Sequence, residues 1–354
     1  MRFIILSFLL CACIQEYTIV PGNDFAQTSK YINVKTEFQI VGDSITDWAD
    51  QIQNVIDVAI AGDVIYFPRG KYIIGKQLTS NKTLTFTGDG YYSILKFINN
   101  TNGIVFQGAT QEEKISHCRV EKLRVLTSFV GATTSGITFR NSYENSVDWI
   151  YLSGFANNLV LHNTYADKIL NSRFVNYRTN AVLMNNTGTD IDAGDRNITN
   201  CTFVPTGQLP LASIKQFNGG GTKITACKFN GSNSSAPKRH YHYSGTAPTV
   251  DLLITGSSFE NFTMSAIYLD IGASTFNDVT ITGNQLAYGS ASYPTIYAKG
   301  IQGIAITGNI MRGNGTNYAI VLENCYNGLV LNAYSSYITG KPISLINCVN
   351  IRAP

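Results

Sequence analysis

The chain has 354 residues, of which 44% are hydrophobic and only 14% charged, with a formal net charge of +3. That length can bury a large core, and the near-balanced charge excludes the broad basic surface that nucleic-acid binding requires, so no nucleic-acid partner is expected. Seven cysteines occur without CxxC or Cys/His ligand spacing, which excludes a structural zinc module.

In chain order, Arg2, the apolar run Phe3 to Leu10 and the small Ala12 read as a signal peptide over residues 1–12, too short to span a bilayer. Leu10-Cys11-Ala12-Cys13 has the form of a bacterial lipobox, which makes Cys13 a candidate for lipidation. The expected location is therefore outside the cytoplasm, as an outer-membrane or cell-surface lipoprotein or as a secreted protein. Contact with a membrane is expected only through that lipid anchor. Residues 13–43 are polar and lack a clear period, which suits a tether leading into a first strand. Ser44 to Ile60 then reads as a helix, with Trp48, Ile52, Val55, Ile56 and Ala59 on one face and Ser44 or Asp47 as its cap.

Directly after it come Gly62-Asp63-Val64-Ile65-Tyr66-Phe67-Pro68-Arg69-Gly70-Lys71-Tyr72 and, further on, Gly88-Asp89-Gly90. This run over about residues 44–98 resembles the first coils of right-handed β-helices of the pectate-lyase superfamily, a group that includes polygalacturonases, epimerase-like proteins and phage tailspikes. The resemblance implies the fold and a polysaccharide partner, and a trimer if the chain is tailspike-like. It does not transfer a reaction: the Gly-His-Gly motif of polygalacturonases is absent, and Asn186 to Asp195 reproduces none of their acidic motifs cleanly. The acidic calcium set of pectate lyases is not recognisable either. No cofactor is expected, with Ca²⁺ an option only for a lyase. Asp190, Asp192 and Asp195 are weak candidates for holding it, since an Asp-rich turn is more often just a turn.

The rest of the chain repeats. Asp278-Val279-Thr280-Ile281-Thr282-Gly283-Asn284 is echoed by Gly303-Ile304-Ala305-Ile306-Thr307-Gly308-Asn309, and from Phe203 to Phe229, Phe259, Leu286 and Met311 the steps are 26, 30, 27 and 25 residues. A second series of strands opens at Ile104, Ile137, Leu159, Val182, Ile214, Ile267, Ile296, Ile320 and Ile343. Two or more short strands in so short a period suit one coil of a parallel β-helix rather than a propeller blade. The expected fold is all-β, a single-stranded right-handed parallel β-helix over residues 44–354, with an N-terminal capping α-helix covering the open end. Cys201 and Cys227 take equivalent places in successive coils, so either a disulfide or a ladder of buried thiols continued by Ser257, Asn284 and Asn309 is open, with the ladder favoured.

In the second strand series, residues one and three places after the opening apolar residue point outward and stack into two columns. One column carries Lys215, His242, Tyr268 and Tyr297. The other carries Arg140, His162, Asp270, Lys299 and Glu323. Lys238 to Tyr243, in place of an ordinary strand, adds Arg239. Tyrosine faces suit sugar rings, and Arg140, His162, Lys215, Arg239, Tyr268 and Tyr297 are the expected substrate-binding set. Asp270, Lys299, Glu323 and His242 are the expected catalytic set, and three chemistries are open. Asp270 and Glu323, roughly 9.6 Å apart at two strand steps, could hydrolyse a glycosidic bond by inversion. His242, Tyr268 or Lys299 could act as base in β-elimination, with Arg239 neutralising a uronate. The third option is a surface protein or tailspike-like receptor binder that holds glycan without cleaving it.

Overall fold

The computed structural model describes residues 29–129, 134–191, 193–206, 209–231, 235–246, 249–271, 276–287, 289, 292–312, 318–334 and 342–353. The expected signal peptide, Cys13 and Asp192 lie outside the described residues. A typical coil has three strand positions rather than the minimum of two, and among the described residues every ladder between coils is parallel. A complete coil runs Val64–Phe67, Gly70–Ile74, Leu78–Ser80. We refer to the three strand positions as the first, second and third faces. The third face is one continuous sheet whose path has eleven strands from Leu78–Ser80 to Ile343–Ile346, with Ile115–Ser116 pairing at its side. Register is kept from coil to coil, so that Ile224, Ile254, Ile281 and Ile306 are successive partners on the first face.

The bend between the first and second faces explains the repeated Gly-Asn pairs. Lys122, Trp149, Asn171, Asn200 and Ala226 have left-handed φ between 47° and 54°, and Gly256, Gly283 and Gly308 continue the same column at 60° to 66°. A glycine adopts this conformation at no steric cost. The residue after it turns inward: Asn284 Nδ2 donates to Asn309 Oδ1 at 2.9 Å, and Asn309 Nδ2 to Asn332 Oδ1 at 2.8 Å. Earlier in this column Cys201 and Cys227 are free thiols whose Sγ atoms donate to Ile169 O and Ile198 O, which is the ladder and not the disulfide.

Two departures from the sequence reading concern local structure. The helix is shorter than expected, Ala49–Val58, because Asp43–Asp47 forms a second-face strand paired with Gly70–Ile74. The helix takes the place of a third-face strand in the first coil. Ile52, Val55 and Ile56 are buried beneath it, and the Gln53 amide both donates to Thr79 O and accepts from Thr79 N, at 2.9 Å each. One side chain thereby satisfies the edge backbone that a neighbouring strand would otherwise pair. Lys82 Nζ donates to Asp57 O and Ala59 O, binding the helix's last carbonyls. The second departure is the 238–243 segment: Arg239–Gly245 is an ordinary third-face strand, with His240 turned fully inward.

Inside the coils, Phe174, Phe203, Phe229 and Phe259 stack face to face at 5.2, 4.5 and 4.5 Å. Near the turn from the third face to the first, a polar set is buried instead. Arg196 is completely enclosed, its Nε 3.6 Å from Asp167 Oδ2 and its Nη2 donating to Asn186 Oδ1 at 2.8 Å. Asp167 also accepts from Asn145 Nδ2 at 2.7 Å and Thr164 Oγ1 at 2.5 Å.

Candidate functional site

The third face places most of the expected residues together. Lys215, His242, Tyr268 and Tyr297 are successive partners in one outward column, and Asp270, Lys299 and Glu323 in the next. The gap in the second column is filled by Phe217 and Ser244. The Tyr268 and Tyr297 rings stack at 4.9 Å, His242 meets Tyr268 edge-on at 5.2 Å, and the Arg239 guanidinium lies 4.0 Å over the Tyr268 ring. A cleft of about 420 Å³ opens beside them, lined by Arg239, Met264, Tyr268, Tyr293, Pro294 and Tyr297.

Burial, reinforced by the charges of Arg239 and Lys215, pushes the His242 imidazole down to about 4. It is therefore a neutral base at any pH above about 5, and among the described residues neither ring nitrogen makes a hydrogen bond. The carboxylate of Glu323 is engaged: Tyr297 OH donates to Oε2 at 2.6 Å and Lys299 Nζ lies 3.1 Å from Oε1. Those contacts hold Glu323 below the ordinary carboxylate range, Tyr297 contributing more than Lys299; Glu323 in turn raises Lys299, while Tyr297 is raised by burial first and by Glu323 second. An arrangement that favours ionised Glu323 suits a base and opposes a proton donor.

Arg140 and His162 fall in the same column as Asp270 but lie on coils well before it, separated by Asn185, Phe217 and Ser244. They do not join the cluster. Asp190 and Asp195 do not converge either. Asp190 is buried and its Oδ1 lies 2.5 Å from Lys114 Nζ, while Asp195 sits at a left-handed corner. Among the described residues no three His, Cys, Asp or Glu side chains gather as a metal site.

Sequence reasoning missed a second gathering of charge. His117 Nε2 and Glu144 Oε2 are 2.6 Å apart, and a further cleft of about 420 Å³ is lined by His117, Arg119, Glu144, Ser146, Ala166 and Lys168. A signal was present: His117, Glu144 and Ala166 each stand two residues before an equivalent first-face strand residue, so they stack by the same rule as the outward columns.

This geometry defines a parallel β-helix with a charged, tyrosine-bearing third face. Residues 31–117 match the family model described as Rhamnogalacturonase A/epimerase, pectate lyase-like. Over those residues the chain is similar to that pectate-lyase-like family, and the parallel coils described above have the β-helix fold that the family model's name implies. Among solved structures, it is similar to DFA-IIIase from Arthrobacter chlorophenolicus A6 without its lid, at 16% identity and a TM-score of 0.63, covering 91% of this chain and 93% of that one. It is similar to the catalytic domain of a GH87 alpha-1,3-glucanase in complex with tetrasaccharides, at 15% identity and a TM-score of 0.57, covering 95% and 68%. It is also similar to ORF18 of Geobacillus virus E2, at 15% identity and a TM-score of 0.52, covering 89% of this chain and spanning 60% of that one. No curated protein matches it in sequence.

Proposed function

We propose that the third face binds an anionic polysaccharide and cleaves it by β-elimination at His242. The observation that carries this reading is a half-buried imidazole held neutral beside two cations and a tyrosine. In the proposed step a uronate carboxylate pairs with Arg239 and Lys215, which stabilise the charge that develops on it as the adjacent carbon loses its proton to His242. The electron pair of that C–H bond forms the new carbon–carbon double bond, the glycosidic C–O bond breaks, and the Tyr268 hydroxyl supplies the proton to the departing oxygen. Tyr297, stacked on Tyr268, offers its ring to the neighbouring sugar.

Hydrolysis is the second reading, favoured by one observation. Asp270 and Glu323 are in register across two strand steps, a separation of roughly 9.6 Å and the upper edge of what an inverting pair spans. Glu323 would be the base and Asp270 the acid. Tetrasaccharides bound to the similar glucanase add support for a saccharide ligand in general.

Purified protein incubated with polygalacturonate, alginate and glycosaminoglycans separates the readings when ultraviolet absorbance of unsaturated ends and total reducing ends are followed together. Elimination gives both signals, and His242→Ala should lower turnover by about 10²-fold or more. Because the imidazole stays neutral down to about 4, the acid limb of the rate profile should lie near that pH. Reducing ends without absorbance, lost in Asp270→Ala and kept in His242→Ala, would transfer the function to the carboxylate pair. Binding with neither signal would leave a glycan-holding protein without chemistry.

A further inference from the structure

Several coils before the His242 cluster, at the turn from the third face to the first, His117, Glu144 and Ala166 occupy successive left-handed corners, with φ of 54°, 55° and 57°. Backbone bonds hold them in line: His117 N donates to Tyr143 O, Glu144 N to Tyr165 O and Ala166 N to Gly194 O. Two residues on, Arg119, Ser146 and Lys168 are partners across the same three coils at the start of the first-face strands. The two columns line the 420 Å³ cleft, to which Ala166 contributes only a methyl group.

Stability does not account for this arrangement. A histidine–carboxylate contact with side chains about half exposed, as those of His117 and Glu144 are, contributes little to folding. Arg119 and Lys168 are exposed, flank a hydroxyl, and stand two strand steps apart, so both can reach an anion placed over Ser146. The stacked rings of Tyr143 and Tyr165, 5.2 Å apart, border the same corner, and His117 meets Tyr143 at 6.2 Å.

We infer that this cleft is a second binding site for an anionic sugar residue, whose carboxylate lies between Arg119 and Lys168 over Ser146 and whose hydroxyls meet the His117–Glu144 pair. The identity of the ligand rests on the reading of the chain as a binder of anionic glycan, whereas the site is independent of the His242 cluster. A ligand held at two points of one solenoid would keep a long chain aligned with the third face.

Calorimetric titration of the whole chain with trigalacturonate, and with maltotriose as the neutral control, counts the sites. The expected stoichiometry is two for the unaltered protein, one for the Arg119→Ala/Lys168→Ala double variant and one for Arg239→Ala/Tyr268→Ala, with no binding of maltotriose to the corner cleft. Arg119 and Lys168 are surface residues, so their removal leaves the fold intact, which circular dichroism verifies. A single site in the unaltered protein that persists in Arg119→Ala/Lys168→Ala overturns the second site and leaves the first. A single site lost in that variant and kept in Arg239→Ala/Tyr268→Ala supports the second site and overturns the function assigned to the third face. No binding at all, or maltotriose bound equally well, overturns both.

Discussion

Phe174, Phe203, Phe229 and Phe259 fill one interior column of the solenoid with parallel rings, while Asn145, Asp167 and Arg196 fill another with polar groups and a buried charge pair. The aromatic column needs nothing beyond repetition: each ring meets a copy of itself, and any coil could be exchanged for its neighbour. The polar column works only as a set. Burial raises Asp167 and lowers the Arg196 guanidinium, which means that desolvation outweighs their mutual attraction in both partners. Hydrogen bonds from Asn145 and Thr164, and to Asn186, are what make the pair tolerable. A repeated apolar contact builds a solenoid of any length, whereas a buried charge pair marks particular coils and resists their rearrangement.

The largest effect should come from splitting that pair. Asp167→Ala leaves Arg196 enclosed without its counter-ion and is expected to cost about 3–5 kcal/mol of stability. Replacing both, as Asp167→Leu with Arg196→Met, should recover most of that loss, because apolar side chains of similar volume escape the desolvation penalty. Chemical denaturation of the three proteins measures it. A double variant as unstable as the single one would show that the polar column is inseparable from its coils, and the contrast with the phenylalanine stack would then be one of necessity rather than specificity.

The same contrast explains what could be read from residues alone. The Phe column, the Gly-Asn bends and the outward alignment of His242, Tyr268 and Tyr297 all follow from a period, since equivalent positions in a repeat become neighbours. Asp190 looked like one of an acidic set because Asp192 and Asp195 are close in sequence, yet its partner Lys114 arrives from a loop 76 residues earlier. His117 and Glu144 escaped notice for a different reason. They occupy corners, where the strand alternation used to sort inward from outward residues no longer applies. Arg196 was hidden by its chemistry: an arginine at the start of a strand reads as surface, and only the enclosing Thr164, Asn186 and Asp167 allow it inside.

An intermediate effect is expected from pH, acting on a polar group packed beside the aromatic column. His240 is fully buried against Phe229, Phe259 and Phe262, with Nε2 2.9 Å from Glu260 O and Nδ1 3.1 Å from Ser213 Oγ. Burial pushes it down to about 4. The unfolded chain, with a histidine near 6.5, therefore binds the proton more readily than the folded one, and stability falls as pH drops from about 6.5 toward 4. The shift corresponds to roughly 3 kcal/mol over that window. Thermal melts at pH 7 and pH 4.5 should show a smaller difference for His240→Gln than for the unaltered protein. Equal differences in the two would remove His240 as the cause.

The smallest effect belongs to the most repetitive polar element. Asn309→Ala removes the donor to Ile281 O and the link from Asn284 to Asn332, and it leaves buried groups at both neighbours short of one partner. The expected cost is about 1–3 kcal/mol, below that of Asp167→Ala because no charge is stranded. Asn309→Ser should fall between, as Ser257 already serves in this column two coils earlier, donating to Thr255 O and accepting from Cys227 N. If Asn309→Ala matched Asp167→Ala in denaturation, the amide ladder would carry as much specificity as the charge pair, and the division between interchangeable and coil-specific columns would have to be drawn by position along the solenoid instead of by charge.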